Sequence, residues 1–258
     1  MTYVRVLGSV ELLPVDPDRA SACSVSRSPR ARRLLAALLI RANQVASVDW
    51  LANALWTQVP PVSAPGAIQN LVSRLRSALA VAGGFAVVVT RPPGYCLQID
   101  RADLDASLFE DLLTTAWAVA SRPDQAAVIL DRALELWAGP AYDEFAAEPF
   151  ACVDAARLTE LRAAAEEARA LADLRLGRAH AAVLRLESLI RTHPLREGPH
   201  AQLIVASCRA GLRTEALEVY QRYRQLLRDE LGLEPSSVLT ELQASVLRGD
   251  SPHDPVFS

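Results

Sequence analysis

From Ser63 to Ala80 the chain reads Ser-Ala-Pro-Gly-Ala-Ile-Gln-Asn-Leu-Val-Ser-Arg-Leu-Arg-Ser-Ala-Leu-Ala, and the rest of the chain is organised around this stretch, which reads as a helix. Ile68, Leu71, Val72, Leu75 and Leu79 recur at helical spacing and form one apolar stripe. At about 100° per residue, the opposite face carries Gln69, Asn70, Ser73, Arg74 and Ser77, with Arg76 on the flank. That face holds no acid. It offers amide, hydroxyl and guanidinium groups, the types that read base edges and hold phosphates. An ordinary solvated helix face has the same polarity, so the flanking segments decide between the two readings.

Upstream, Ser28-Pro29-Arg30 opens a helix with Ser28 as N-cap and Pro29 at its first position, and Leu34, Leu35, Leu38 and Leu39 form its buried stripe. Arg30, Arg32 and Arg33 fall in its first turn, where the helix dipole disfavours cations. Their placement points to an external anion such as a phosphate backbone. Ser47 caps a second helix through Trp56, with Val48, Leu51, Leu55 and Trp56 directed inward. Pro60-Pro61 interrupts the loop from Thr57 to Val62, and Ser63 then caps the helix described above. At the amino end, Tyr3–Gly8, Val10–Leu13 and Cys23–Val25 are candidates for a small antiparallel sheet.

Downstream, Gly83-Gly84 ends the helix. Phe85–Thr90 and Tyr95–Ile99 make a hairpin about Arg91-Pro92-Pro93-Gly94. A small sheet, three helices and a hairpin predict a winged helix-turn-helix. In that geometry the last helix enters the major groove, and Arg91 reaches the adjacent backbone or minor groove.

A net charge of −3 is unhelpful for a nucleic-acid binder until the chain is divided. Residues 1–100 hold 10 Arg against 5 acids, and the remainder 17 Arg against 25 acids, so the front half is basic and the back half acidic. All 27 basic residues are Arg, which reflects coding bias more than function. Cys23, Cys96, Cys152 and Cys208 lie far apart without a CxxC pair, and His180, His193, His200 and His253 form no i, i+4 pair. No nucleophile elbow, Walker A loop or glycine-rich phosphate cradle occurs. The chain is expected to be no enzyme, with no cofactor and no metal. It has no signal-peptide pattern, and its longest strongly apolar run, Leu34 to Ile40, is too short for a bilayer. A cytoplasmic protein with no membrane partner is expected.

From about Leu104 the pattern is helical: one helix from Asp105 to Ala120, another from Pro123 towards Trp137, and a long one from about Pro149 to Leu176. Gly177-Arg178 with Ala182 and Gly211-Leu212 with Ala216 repeat at 34 residues, the tetratricopeptide period, and Pro123–Trp137 resembles a third copy. Trp137, Tyr142, Phe145 and Phe150 read as core packing. The fold class expected is mainly α: a winged helix-turn-helix with small β-sheets over residues 1–100, an all-α tetratricopeptide-like domain over 101–249, and a flexible tail over 250–258.

Several segments are also familiar in order: Ser28-Pro29-Arg30, Ser47–Trp56, Val72-Ser73-Arg74-Leu75-Arg76, Thr90–Tyr95, Leu136–Ala141, His193–Glu197 and Asp229–Pro235. Together they resemble the Streptomyces antibiotic regulatory protein family, which joins an OmpR-type winged helix to a bacterial transcriptional activation domain. The resemblance implies a short member without the ATPase and sensor modules of larger relatives. It implies a pathway-specific activator that binds direct repeats in double-stranded promoter DNA near the −35 element as a homodimer. The acidic helical domain, with the Thr57–Val62 loop, would recruit RNA polymerase holoenzyme. The residues expected at the DNA are Gln69, Asn70, Ser73, Arg74 and Ser77 in the major groove, with Arg76, Arg30, Arg33 and Arg91 on phosphates or, for Arg91, the minor groove. The alternative is a tetratricopeptide-like interaction scaffold whose winged helix does not bind DNA.

Overall fold

The computed structural model describes residues 3–13 and 28–250, so the expected strand near Cys23–Val25 and the tail beyond 250 lie outside the described residues. Two compact units emerge. The first comprises residues 1–111 and 135–160, and the second residues 112–134 and 161–258.

In the first unit, β1 (Val4–Arg5) pairs antiparallel with β2 (Glu11–Leu12). Helix α1 (Pro29–Ile40) starts as its sequence dictates: the Ser28 hydroxyl accepts the Ala31 N–H, and Pro29 occupies the first turn. Leu34 to Leu39 are all buried. A two-residue strand, β3 (Ala46–Ser47), leads into α2 (Val48–Leu55), capped by Ser47 through the Trp50 N–H. Helix α3 (Ala64–Ala82) buries Ile68, Val72, Leu75 and Leu79, while Leu71 is half-buried. It packs on both α1 and α2.

The start of α3 departs from expectation, because Ser63 makes no side-chain cap. A capping hydroxyl reaches the helix only from extended backbone, as at Ser28 and Ser47, whereas Ser63 has φ of −79° and ψ of 2°. The turn is closed by backbone instead, with the Ala64 N–H donating to the Pro61 carbonyl.

The hairpin consists of β4 (Ala86–Arg91) and β5 (Gly94–Ile99), and β3 joins it to give a three-stranded sheet in the order β3-β5-β4. Arg91 faces Gly94 in register, so it ends a strand rather than opening a loop. At Gly94 the backbone of β3 comes so close that a β-carbon would overlap the Ala46 carbonyl. Only glycine fits there.

Helix α4 (Asp105–Ala118) begins in this unit and is two residues shorter than expected. Buried Asp105 accepts hydrogen bonds from the Val6, Leu7 and Ala106 N–H groups. The returning segment 135–160 completes the unit. The Ala138 and Tyr142 N–H groups donate to the Leu7 and Val6 carbonyls, and Trp137 meets Phe109 edge-on at 5.3 Å.

The second unit is helical. Helix α5 (Pro123–Leu134) ends before Trp137, which lies in the turn beyond it. Helix α6 (Cys152–Arg175) supplies its later half to this unit, followed by α7 (Ala179–Thr192), α8 (Glu197–Arg209), α9 (Arg213–Leu231) and α10 (Ser237–Arg248). The 34-residue period has a structural counterpart at two helix junctions. Gly177 and Gly211 have φ of +73° and +79°. Their N–H groups donate to Leu174 and Cys208, and the next residues' N–H groups donate to Asp173 and Ser207. Ala182 and Ala216, five residues past each glycine, are fully buried in one core with Leu186, Leu203 and Tyr223. Among the described residues, no helix is long and apolar enough to cross a membrane.

Candidate nucleic-acid interface

Burying the Ile68–Leu79 stripe against α1 and α2 leaves the other side of α3 in solvent. Gln69, Asn70, Ser73, Arg74, Arg76 and Ser77 are all exposed, and α3 carries no acid. The Ser77 hydroxyl donates to the Ser73 carbonyl, 3.2 Å away, one turn back. Arg91 is exposed at the end of β4. An open cleft of about 600 Å³ lies beside this face, lined by Arg30, Trp56, Asn70, Leu71 and Arg74 together with Ser28. Arg30 of α1 and Arg74 of α3 thus share one concavity. Among the described residues, Arg30, Arg74 and Arg91 have no acidic partner.

Two of the expected contacts are placed differently. Arg33 does not face outward. Its Nε donates to the Ala54 carbonyl at 2.6 Å, and its two terminal nitrogens donate to the Glu148 carboxylate at 2.9 and 2.7 Å. Its guanidinium also lies 5.1 Å from the centre of the Phe150 ring. Those hydrogen bonds hold the Glu148 carboxyl below its usual range, against an opposing desolvation. Arg32 pairs similarly with Glu144 at 3.5 Å. The anion that the first-turn arginines require is therefore internal for two of the three, and only Arg30 is left for an external one. Arg76 is likewise turned aside: it donates to the Val88 carbonyl at 2.7 Å and to the Thr90 hydroxyl at 2.9 Å, joining α3 to the hairpin.

Sequence reasoning missed Glu148 and Glu144 because their partners are more than a hundred residues away and no local pattern joins them. It also read Trp56 and Leu71 as core, whereas both line the cleft. Among the described residues, no group of His, Cys, Asp and Glu is arranged to hold a metal ion.

Comparison with known proteins agrees with the architecture. Residues 104–247 match the model of the bacterial transcriptional activator domain, and residues 23–97 match that of the C-terminal domain of transcriptional regulatory proteins. The regulatory protein AfsR of Streptomyces griseus is 38% identical over 239 residues, 92% of this chain and 24% of AfsR. The regulatory protein DnrI of Streptomyces peucetius is 35% identical over 240 residues, 89% of this chain and 87% of DnrI. The chain spans about a quarter of AfsR and 58% of the mycobacterial regulator EmbR. The structure of Mycobacterium tuberculosis EmbR, solved in complex with a low-affinity phosphopeptide, superposes with a TM-score of 0.87 at 33% identity, covering 97% of this chain and 66% of that one. An OmpR-type winged helix followed by a bacterial transcriptional activator domain, with relatives of this kind, places the chain in the Streptomyces antibiotic regulatory protein family of transcriptional regulators.

Proposed function

We propose that the protein is a sequence-specific transcriptional activator that docks α3 in the major groove of promoter DNA. The observation that carries this is the acid-free outer face of α3 beside Arg30, Arg74 and Arg91, which among the described residues lack acidic partners where Arg32 and Arg33 have them. Gln69, Asn70, Ser73, Arg74 and Ser77 face base edges, Arg30 holds a phosphate, and Arg91 reaches the backbone or minor groove. Arg76 sets the hairpin against α3 and so aims Arg91. Membership of the Streptomyces antibiotic regulatory protein family supports pathway-specific control, with secondary-metabolite genes as targets. By the same family reasoning, it binds direct repeats near the −35 element as a homodimer. Its helical half, with the exposed loop carrying Val59 and Val62, recruits RNA polymerase.

The test is binding to the intergenic DNA flanking the protein's own gene across a salt series. Phosphate contacts release counterions, so log K should fall linearly with log salt. Arg74→Ala should relax discrimination among sequences by roughly 1–3 kcal/mol. A uniform loss on every sequence would reduce Arg74 to a phosphate contact. Absence of salt-dependent binding would favour a scaffold built on the 34-residue helical repeat.

A further inference from the structure

We infer that Glu148 is a positioning residue for DNA binding. Through Arg33 it holds α1 and α2 in the arrangement that forms the cleft beside α3, although it lies in the activator-domain part of the sequence. The inference rests on the DNA-binding reading above.

Arg33 joins three segments at once. Its Nε bonds Ala54 in the last turn of α2, where backbone carbonyls have no intrahelical donor. Its other nitrogens grip Glu148 as a planar, bidentate pair. The Arg33 side chain is only 15% exposed. Glu148 in turn sits on an anchored segment. Tyr142 donates its N–H to the Val6 carbonyl and its hydroxyl to Asp154, and Glu144 accepts from the Val10 N–H. Phe150, under the guanidinium, also meets Phe145 at 5.8 Å.

The consequence for the interface is geometric. Arg30 lies one helical turn before Arg33 on α1, and Trp56 follows two residues after Ala54. Arg30 and Trp56 are walls of the cleft that faces Asn70 and Arg74. Shifting Arg33 therefore moves both walls relative to the reading helix. A mask, in which Glu148 merely hides Arg33 from DNA, fits less well: without Glu148 the guanidinium still has its bond to Ala54 and its place over Phe150.

The experiment measures binding of the full chain to a fluorescein-labelled duplex of the intergenic DNA flanking its own gene, over a salt series. Glu148→Gln, Glu148→Asp, Arg33→Glu and the swap Arg33→Glu with Glu148→Arg are compared with wild type at a temperature where circular dichroism shows each folded. Glu148→Gln should bind about tenfold more weakly with an unchanged salt slope, because no phosphate contact is removed. The swap should recover only part of the loss suffered by Arg33→Glu, because it restores the ion pair but a carboxylate at position 33 cannot donate to the Ala54 carbonyl. Should Glu148→Gln fail to fold, Glu148→Asp keeps the charge but shortens the reach, and a smaller loss at unchanged slope is expected from it.

Variant binding equal to wild type overturns the inference alone. Tighter binding with a slope steeper by about one unit overturns it in favour of the mask. Absence of salt-dependent binding by the wild type removes the DNA-binding reading and this inference together.

Discussion

Asp105 offers a test whose size and sign follow from the structure. Its side chain is in a residue only 1% exposed, and its carboxylate accepts from the Val6 N–H at 2.9 and 3.0 Å, the Leu7 N–H at 3.0 Å and the Ala106 N–H at 2.7 Å. Burial pushes its pKa from an ordinary 3.8 up to about 6, with those N–H groups pulling the other way. The folded chain thus binds more protons than the unfolded chain between these values. Stability from this group is fully present below the unfolded pKa and is lost as pH rises through the folded one, a total of about 3 kcal/mol. Between pH 5 and pH 7.5 the loss amounts to about 1.4 kcal/mol. Asp105→Asn does not titrate, so subtracting the variant's unfolding free energy from that of wild type isolates this term from the other carboxylates. The substitution also turns an amide donor towards buried N–H groups, at a cost of about 1–3 kcal/mol. Urea unfolding followed by tryptophan fluorescence, with Trp137 in the same unit, should show the variant less stable at pH 5 and the gap narrowing by about 1.4 kcal/mol at pH 7.5. A gap that is constant or widens with pH would refute the raised pKa.

Two further substitutions probe packing. Gly94→Ala forces a methyl group against the Ala46 carbonyl, so β3 should separate from β5. Thermal melts should show a loss of about 1–3 kcal/mol, and amide exchange should rise along β5. In the second unit, Arg169 is 7% exposed on its side chain and lies 2.6 Å from buried Asp173 while also holding Asp131 at 2.7 Å. Arg169→Met should cost about 3–5 kcal/mol by leaving Asp173 poorly paired, and adding Asp173→Leu should restore much of it. A double variant no better than the single would show that burial of the charge is not the problem.

The helices were legible because burial follows the 3.6-residue period: the Ile68–Leu79 stripe and the Leu34–Leu39 run lie where periodicity places them. The outer face of α3 was legible for the same reason, since whatever opposes a buried stripe is in solvent. Gly177 and Gly211 were legible because each positive-φ junction leaves a local mark in sequence. Contacts made at long range left no such mark. Arg33 and Arg76 read as free cations because nothing near them in sequence names Glu148 or the Val88 carbonyl. Gly94 read as a turn residue, whereas its stricter constraint comes from a two-residue strand too short to show any alternation. Ser63 read as a cap because the motif is local, yet its backbone, with ψ of 2°, is not the extended conformation that a cap needs.

The discontinuity of the first unit bears on how the chain is made. Its two pieces, residues 1–111 and 135–160, are separated by an excursion that belongs to the other unit. During synthesis the winged helix emerges complete in sequence but without Glu144, Glu148 and Phe150. At roughly 5–20 residues per second, the wait from residue 111 to residue 160 is on the order of several seconds. Recombination meets the same boundary. A crossover near residue 100, between what look like separable modules, would pair one protein's Arg33 with another's residue at 148. Viable chimeras should therefore exchange the 135–160 segment along with the helices it holds.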